Sequence, residues 1–170
     1  MRTGYGLIDS DGRRSRAVAW GVIELGGAEL AGRLGRLLDT LSALIETHRP
    51  AAAAVEEVFV ARNPASALKL GQARGVVLAA CMAGGLEVHE YAARQVKLAV
   101  VGRGAAAKAQ VQHMVRVLLA LPETPPPDAA DALALALCHS HHRAGGYNGP
   151  APVRRRRAGR WRVLPGEGRG

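Results

Sequence analysis

The sequence contains no run of about 18 consecutive apolar residues, and this absence excludes a membrane-spanning helix. Its first residues, Met-Arg-Thr-Gly-Tyr-Gly, lack the apolar segment of a secretion signal. Cysteine is also scarce, since the chain has only Cys81 and Cys138. Both lie within apolar helical patterns, which favours reduced, buried thiols over disulfides. Together these absences predict a cytoplasmic protein.

Positive charge is concentrated at one end of the chain. The net charge is +9, but residues 1–142 carry 15 Lys and Arg against 13 Asp and Glu, whereas residues 143–170 carry 8 Arg against 1 Glu. A basic excess favours a polyanionic partner, and a basic tail attracts such a partner without regard to its sequence. The Gly, Pro and Arg content after position 142 predicts one folded domain over 1–142 and a disordered tail over 143–170.

Hydrophobic periodicity predicts an initial hairpin followed by alternating strands and helices. This alternation indicates an α/β fold in which a sheet is flanked by helices. The predicted strands are 3–9, 16–25, 51–55 and 87–91, and the predicted helices are 29–48, 64–83, 94–101, 105–121 and 128–142.

Acidic residues lie at two positions that suit a divalent-metal site. Glu56 follows a short apolar strand, and Asp128 and Asp131 share one face of the first turn of the last helix. Mg²⁺ prefers oxygen ligands, and two such ions can activate a water and stabilise the leaving oxygen in phosphodiester hydrolysis. Each position also has a simpler interpretation: Asp128 as a helix N-cap, and Glu56 with Glu57 as a solvated strand end.

Three further residues suit contact with nucleic acid. Phe59, the only phenylalanine, lies three residues beyond Glu56 in a predicted loop, where it could stack on an unpaired base or instead anchor the core. Lys97 and Lys108 flank a turn bounded by Gly102 and Gly104, where backbone amides could approach a phosphate. The alternative for both lysines is a solvated surface.

Six segments, in order along the chain, closely resemble the RuvC-type Holliday junction resolvases. The resemblance implies an RNase H-like fold with a mixed sheet, a homodimer, and symmetric nicking of four-way DNA junctions that depends on Mg²⁺, with Mn²⁺ as a substitute. It also implies a branch-migration helicase complex as a partner. The segments are TGYG at 3–6, EEVFVARN at 56–63, SALKLGQARG at 66–75, YAARQVK at 91–97, QVQHMV at 110–115 and DAADALA at 128–134.

The resemblance also implies roles for individual residues. Glu56, Asp128 and Asp131 match the family's catalytic, metal-binding acids. Phe59 matches an aromatic residue near the junction, and Lys97 and Lys108 match residues that contact DNA phosphates. The helix containing residues 68–75 would lie near the dimer interface.

One element of the family pattern is missing from the chain: a first strand that supplies another catalytic Asp. Asp9 in Leu7-Ile-Asp9 resembles that residue, but the TGYG segment places it at the far end of the next strand. Two explanations stay open, a coding region that begins further upstream and a truncated, defective chain. If the truncation is genuine, the alternative function is a non-catalytic module that binds four-way junctions.

Overall fold

The computed structural model describes residues 2–27, 29–57 and 64–145. Strand β1 (Arg2–Ser10) pairs antiparallel with β2 (Ser15–Glu24), and the ladder shifts register between Leu7 and Ile8. The turn between them forms because Asp11 Oδ1 accepts the backbone N–H groups of Arg13 and Arg14 at 2.8 and 2.7 Å. The predicted hairpin is confirmed.

A second pair of strands is parallel. Strand β3 (Ala52–Glu56) pairs with β4 (Glu87–Tyr91), and the connection between them contains helix α2 (Pro64–Ala83). Antiparallel and parallel pairings therefore coexist, as predicted for a mixed α/β protein. The remaining helices are α1 (Leu30–His48), α3 (Ala93–Val101), α4 (Lys108–Leu118) and α5 (Pro127–Ala144).

Helix α5 is the central packing element, because it contacts both strand pairs as well as α3 and α4. Its inward face is small and apolar, with Ala129, Ala130 and Leu133 fully buried. Two glycines of β1, Gly4 and Gly6, lie against this face of α5. A Cβ on Gly6 would stand 2.8 Å from the Leu133 side chain, and a Cβ on Gly4 would overlap the carbonyl group of Asp128. Small residues on both elements therefore permit close packing of strand and helix.

Neither strand pair is extended by a third hydrogen-bonded strand within the described ranges. There, β1 pairs with β2 alone and β3 pairs with β4 alone. None of the described helices has the length and apolar character needed to cross a membrane. Both cysteines are buried and unoxidised, as the sequence predicted.

Helix α4 is shorter than the predicted 105–121. It starts at Lys108 because the Gln110 side chain accepts the Ala107 N–H at 2.9 Å, which satisfies a donor at the helix start. It ends at Leu118 because Ala120 adopts a left-handed conformation (φ 49°), and Leu121 N–H then bonds back to the Arg116 carbonyl. Helix α5 is longer than predicted, beginning one residue earlier and ending two residues later.

Candidate active site

Three carboxylates from two elements meet at one end of the fold. Glu56 is the last residue of β3, and Asp128 and Asp131 lie in the first turns of α5. The close packing of β1 on α5 supports the start of this helix, since Gly4 lies directly against the Asp128 backbone. The first turn of a helix favours negative charge, because its free N–H groups carry partial positive charge. The structure thus brings together the acids that the sequence separates by 72 to 75 positions.

Asp128 does not cap its helix. The N-cap residue of α5 is Pro126, no side chain makes a capping hydrogen bond there, and Asp128 lies inside the first turn. Its carboxylate instead forms an ion pair with Arg2, with Oδ2 3.3 Å from the guanidinium Nε. The interpretation of Asp128 as a simple N-cap is therefore wrong.

Lys108 lies among all three acids. Its Nζ donates a hydrogen bond to Asp131 Oδ2 at 2.8 Å. That hydrogen bond is the main reason why the pKa of Lys108 is raised, and the charges of Asp131, Asp128 and Glu56 add to the effect. As the first residue of α4, Lys108 owes its position to the helix start that Gln110 fixes. A cation at this point offsets part of the repulsion among the acids.

The pKa of Glu56 is raised above its ordinary value. Neighbouring groups displace water from the carboxyl, and this desolvation is the largest cause of a raised pKa. The negative charge of Asp131 raises the pKa further, whereas Lys108 lowers it. Glu56 and Asp131 therefore interact electrostatically. Added positive charge at this point would favour the ionised form of Glu56.

The donor set fits a divalent cation by its chemistry, because carboxylate oxygens are the ligands that Mg²⁺ and Mn²⁺ prefer. Arg2 and Lys108, however, already pair with Asp128 and Asp131. In the part of the chain that the structure describes, no group of three or more His, Cys, Asp or Glu side chains lies close enough to hold a metal. A cation would have to displace at least one of these ion pairs.

Of the other residues that the sequence singled out, Lys97 and Asp9 make no described contact with the three acids. Lys97 lies partly buried on α3, and among residues 2–27, 29–57 and 64–145 no carboxylate forms an ion pair with it. Phe59 lies outside the described residues. Asp9 is ion-paired to Arg16 at 2.9 Å, next to the end of β1 where Ser10 contacts Ser140 near the C-terminus of α5. Asp9 therefore lies at the opposite end of α5 from Asp128.

Two arginines at the site were not predicted. Arg2 pairs with Asp128, and Arg74 on α2 donates a hydrogen bond to the backbone carbonyl of Glu56 at 2.6 Å. Arg74 lies within the family-like segment 66–75, which was the available signal. Both contacts join residues far apart in sequence, so periodicity alone could not reveal them.

Comparison with known proteins identifies the family to which this sequence is similar. The sequence model of the family described as "Crossover junction endodeoxyribonuclease RuvC" matches residues 1–139. The crossover junction endodeoxyribonuclease RuvC of Marinobacter nauticus is 56% identical over 139 residues, which are 82% of this chain and 79% of that protein. The protein of the same name from Aromatoleum aromaticum is 53% identical over 166 residues, covering 98% of this chain and 89% of its own.

A solved structure extends the similarity to the fold. "T. thermophilus RuvC in complex with Holliday junction substrate" superposes with a TM-score of 0.82 at 37% identity, covering 88% of this chain and 92% of that one. The α/β, RNase H-like fold and the family resemblance predicted from the sequence are therefore confirmed. The chain belongs to the RuvC family of crossover junction endodeoxyribonucleases.

Proposed function

We propose that Glu56, Asp128 and Asp131 are the catalytic acids with which this chain resolves Holliday junctions. The observation that carries the proposal is the position of Lys108, whose ammonium bonds to Asp131 and feels the charge of Asp128 and Glu56. Carboxylates from a strand end and a helix start thus all interact electrostatically with one ammonium group. As a member of its family, the chain is an endodeoxyribonuclease that hydrolyses phosphodiester bonds in recombining DNA.

The proposed cofactor is Mg²⁺, in a two-metal arrangement, with Mn²⁺ as a substitute. Glu56, Asp128 and Asp131 would hold it through their carboxylate oxygens. When bound, it would activate a water and stabilise the leaving oxyanion. The ion pairs of Asp128 with Arg2 and of Asp131 with Lys108 offset part of the negative charge of these carboxylates before a cation binds.

The chain's own basic residues would bind and orient the DNA backbone. Lys108 could exchange the Asp131 carboxylate for a phosphate oxygen, because its side chain is 55% exposed. Lys97, which lies on α3, would contact a second phosphate. Phe59, in the segment between β3 and α2, would stack on an unpaired base near the junction centre, an interaction worth about 1–3 kcal/mol per base.

Symmetric nicking requires two sites, and we propose a homodimer formed through α2. This helix exposes two large apolar side chains, Leu68 at 65% and Leu70 at 45% exposure, which a second copy could cover.

A branch-migration helicase complex is the further partner that family membership suggests. We also propose that residues 1–142 form the nuclease domain and act in the cytoplasm. The basic tail over 143–170 would add sequence-independent DNA affinity, or remain a solvated extension.

A fourth carboxylate is the open part of the site. The family resemblance implies that a further strand carries it, and among the described residues β1 pairs with β2 alone and β3 with β4 alone. Without that carboxylate, cation binding and cleavage would be weak. The alternative function is then a non-catalytic module that binds four-way junctions through its dimer surface and tail.

The decisive experiment measures binding and nicking of a synthetic four-way DNA junction in Mg²⁺. It compares this chain with a version extended upstream by in-frame translation. Paired, symmetric nicks by either form support the proposal. Nicks by the extended form alone would place the fourth carboxylate in the added segment. If both forms bind the junction and neither cuts it, the binding-module alternative replaces the proposal.

A further inference from the structure

We propose that Arg74 is a positioning residue that holds the end of β3, and with it Glu56, from helix α2. The inference rests on the proposed catalytic role of Glu56. Arg74 touches neither the carboxylate of Glu56 nor the two aspartates in any described contact. Its action would therefore be on the backbone that carries the acid.

The guanidinium of Arg74 joins two strands. Its Nη1 donates to the backbone carbonyl oxygen of Glu56 at 2.6 Å, and its Nη2 lies 2.6 Å from Glu90 Oε2. Glu90 belongs to β4 and lies opposite Val55, the residue before Glu56. A planar guanidinium holds its donors in a fixed fork, so two short contacts fix the position of one strand end relative to its neighbour.

The environment of Arg74 strengthens these contacts. Its side chain is only 19% exposed and that of Glu90 is 34% exposed, so water competes less than at an open surface. Helix α2 itself packs against α1 and β4, which gives Arg74 a rigid base. Removing the guanidinium would leave a partly buried carboxylate without its cation, a costly change.

The position of Glu56 explains why such a device is needed. Glu56 is the last residue of β3, and the ladder to β4 continues only through the Glu57 N–H, which bonds to the Tyr91 carbonyl at 2.9 Å. A strand end held from one side is free to fray. Catalytic groups must stay within about half an ångström of their working position. Arg74 supplies the second attachment at the point where the catalytic side chain leaves the strand.

The test compares Arg74→Met and Arg74→Lys with the wild-type chain, and uses Arg36→Met on the exposed surface of α1 as the matched control. Three quantities are measured: Mn²⁺ affinity without DNA by electron paramagnetic resonance, junction affinity without divalent metal, and the single-turnover nicking rate against Mg²⁺ concentration. Thermal unfolding reports whether each variant is folded.

We expect Arg74→Met to weaken Mn²⁺ binding and to raise the Mg²⁺ concentration for half-maximal nicking by at least about 10-fold, the range for residues that orient metal ligands. Junction affinity should change less than about twofold, because Arg74 faces the sheet. For Arg74→Lys, the Mn²⁺ affinity and the Mg²⁺ dependence should lie between those of the wild type and Arg74→Met. An ammonium keeps the charge but cannot hold both oxygens in one fork. If Arg74→Met is unfolded, Arg74→Lys alone decides the question.

The inference is overturned if both folded Arg74 variants match Arg36→Met in Mn²⁺ affinity and Mg²⁺ dependence. It is also overturned if they lose junction affinity in proportion to nicking, which indicates general damage. Failure of the proposed function has a different signature: Glu56→Gln then binds Mn²⁺ and nicks like the wild type. If neither this chain nor its upstream-extended form binds Mn²⁺ or nicks the junction, both proposals are overturned.

Discussion

Gly4 lies directly against Asp128, so close that a Cβ on this glycine would overlap the Asp128 carbonyl group. The contact joins the first strand to the start of α5, where two of the three acids lie. The backbone of β1 therefore determines how near the acidic turn of α5 can approach the sheet. A residue without a side chain thus limits the position of Asp128, a proposed catalytic acid.

We predict that Gly4→Ala disrupts both the fold and the site. The added methyl group must push α5 away from β1, and such overpacking costs about 1–3 kcal/mol of unfolding free energy. The nicking rate should fall by more than this loss of stability explains, because Asp128 moves with the helix. Urea unfolding and nicking under folded conditions measure the two effects.

The matched control for Gly4→Ala is Gly35→Ala in α1, where a Cβ would meet nothing within 4 Å. Alanine inside a helix is favoured over glycine by about 0.5–1 kcal/mol, so this variant should be slightly more stable and equally active. If both alanine variants are as stable as the wild type, β1 does not pack against α5 as closely as the contact between Gly4 and Asp128 requires.

Lys108→Met should separate cation binding from DNA binding. The lysine pairs with Asp131 at 2.8 Å and competes with a metal for that carboxylate. Its loss should tighten Mn²⁺ binding in the absence of DNA, while nicking falls by at least about 10-fold because a phosphate contact is removed. Mn²⁺ titration and single-turnover nicking check the two effects.

Lys97→Met provides the comparison for Lys108→Met. Lys97 lies on α3 and pairs with no carboxylate in the described ranges, so its replacement should reduce DNA affinity without changing Mn²⁺ affinity. Equal Mn²⁺ affinities for the wild-type chain and Lys108→Met would show that Lys108 does not compete for the cation.

His139 should make the stability of the fold sensitive to acid. Burial, and then the nearby His89, Arg143 and His142, lower the pKa of His139 to about 4. Its Nδ1 lies 2.9 Å from the Tyr91 hydroxyl, while its Nε2 is buried with no hydrogen-bond partner among the described residues. A protonated ring carries N–H groups on both nitrogens, and the one on buried Nε2 would have no acceptor among the described residues, so the folded state favours the neutral ring.

The direction of the pH effect follows from this lowered pKa. In the unfolded chain His139 takes up a proton below its ordinary pKa of 6.5, whereas in the folded chain it does so only near 4. The unfolded state therefore binds more protons between these values, and stability falls as the pH is lowered through them. Urea unfolding at pH 7 and pH 4.5 should show a smaller loss for His139→Gln than for the wild type. His113→Gln, at an exposed position of α4, should behave like the wild type.

Much of the fold could be predicted from local sequence signals. Strand β4 has the predicted bounds, and α2 begins at Pro64 and ends before Gly84-Gly85 as expected. The ends of α4 could not be placed, because they depend on the Gln110 side chain and on the left-handed backbone at Ala120. Neither feature has a strong propensity signal, since alanine seldom adopts positive φ.

The positions of the three acids in the fold could be predicted, whereas their ion-pair and hydrogen-bond contacts could not. Glu56, Asp128 and Asp131 stand at a strand end and a helix start that periodicity locates. The contacts of Arg2 and Arg74 depend on where long side chains from other elements reach, and only the three-dimensional packing determines that. The role of Phe59 remains a prediction, because this residue lies outside the described part of the chain.

The most direct test of the account compares Glu56→Gln with Glu57→Gln on a synthetic four-way junction in Mg²⁺, with the wild-type chain alongside. The two glutamates are neighbours, but Glu56 is the last residue of β3, and burial followed by the charge of Asp131 raises its pKa. We predict that Glu56→Gln binds the junction with wild-type affinity and loses at least about 100-fold in nicking rate, more than loss of a supporting residue around a metal ligand would cause. Glu57→Gln should bind and nick normally. Equal nicking by both variants and the wild type would contradict the assignment of Glu56 as a catalytic acid.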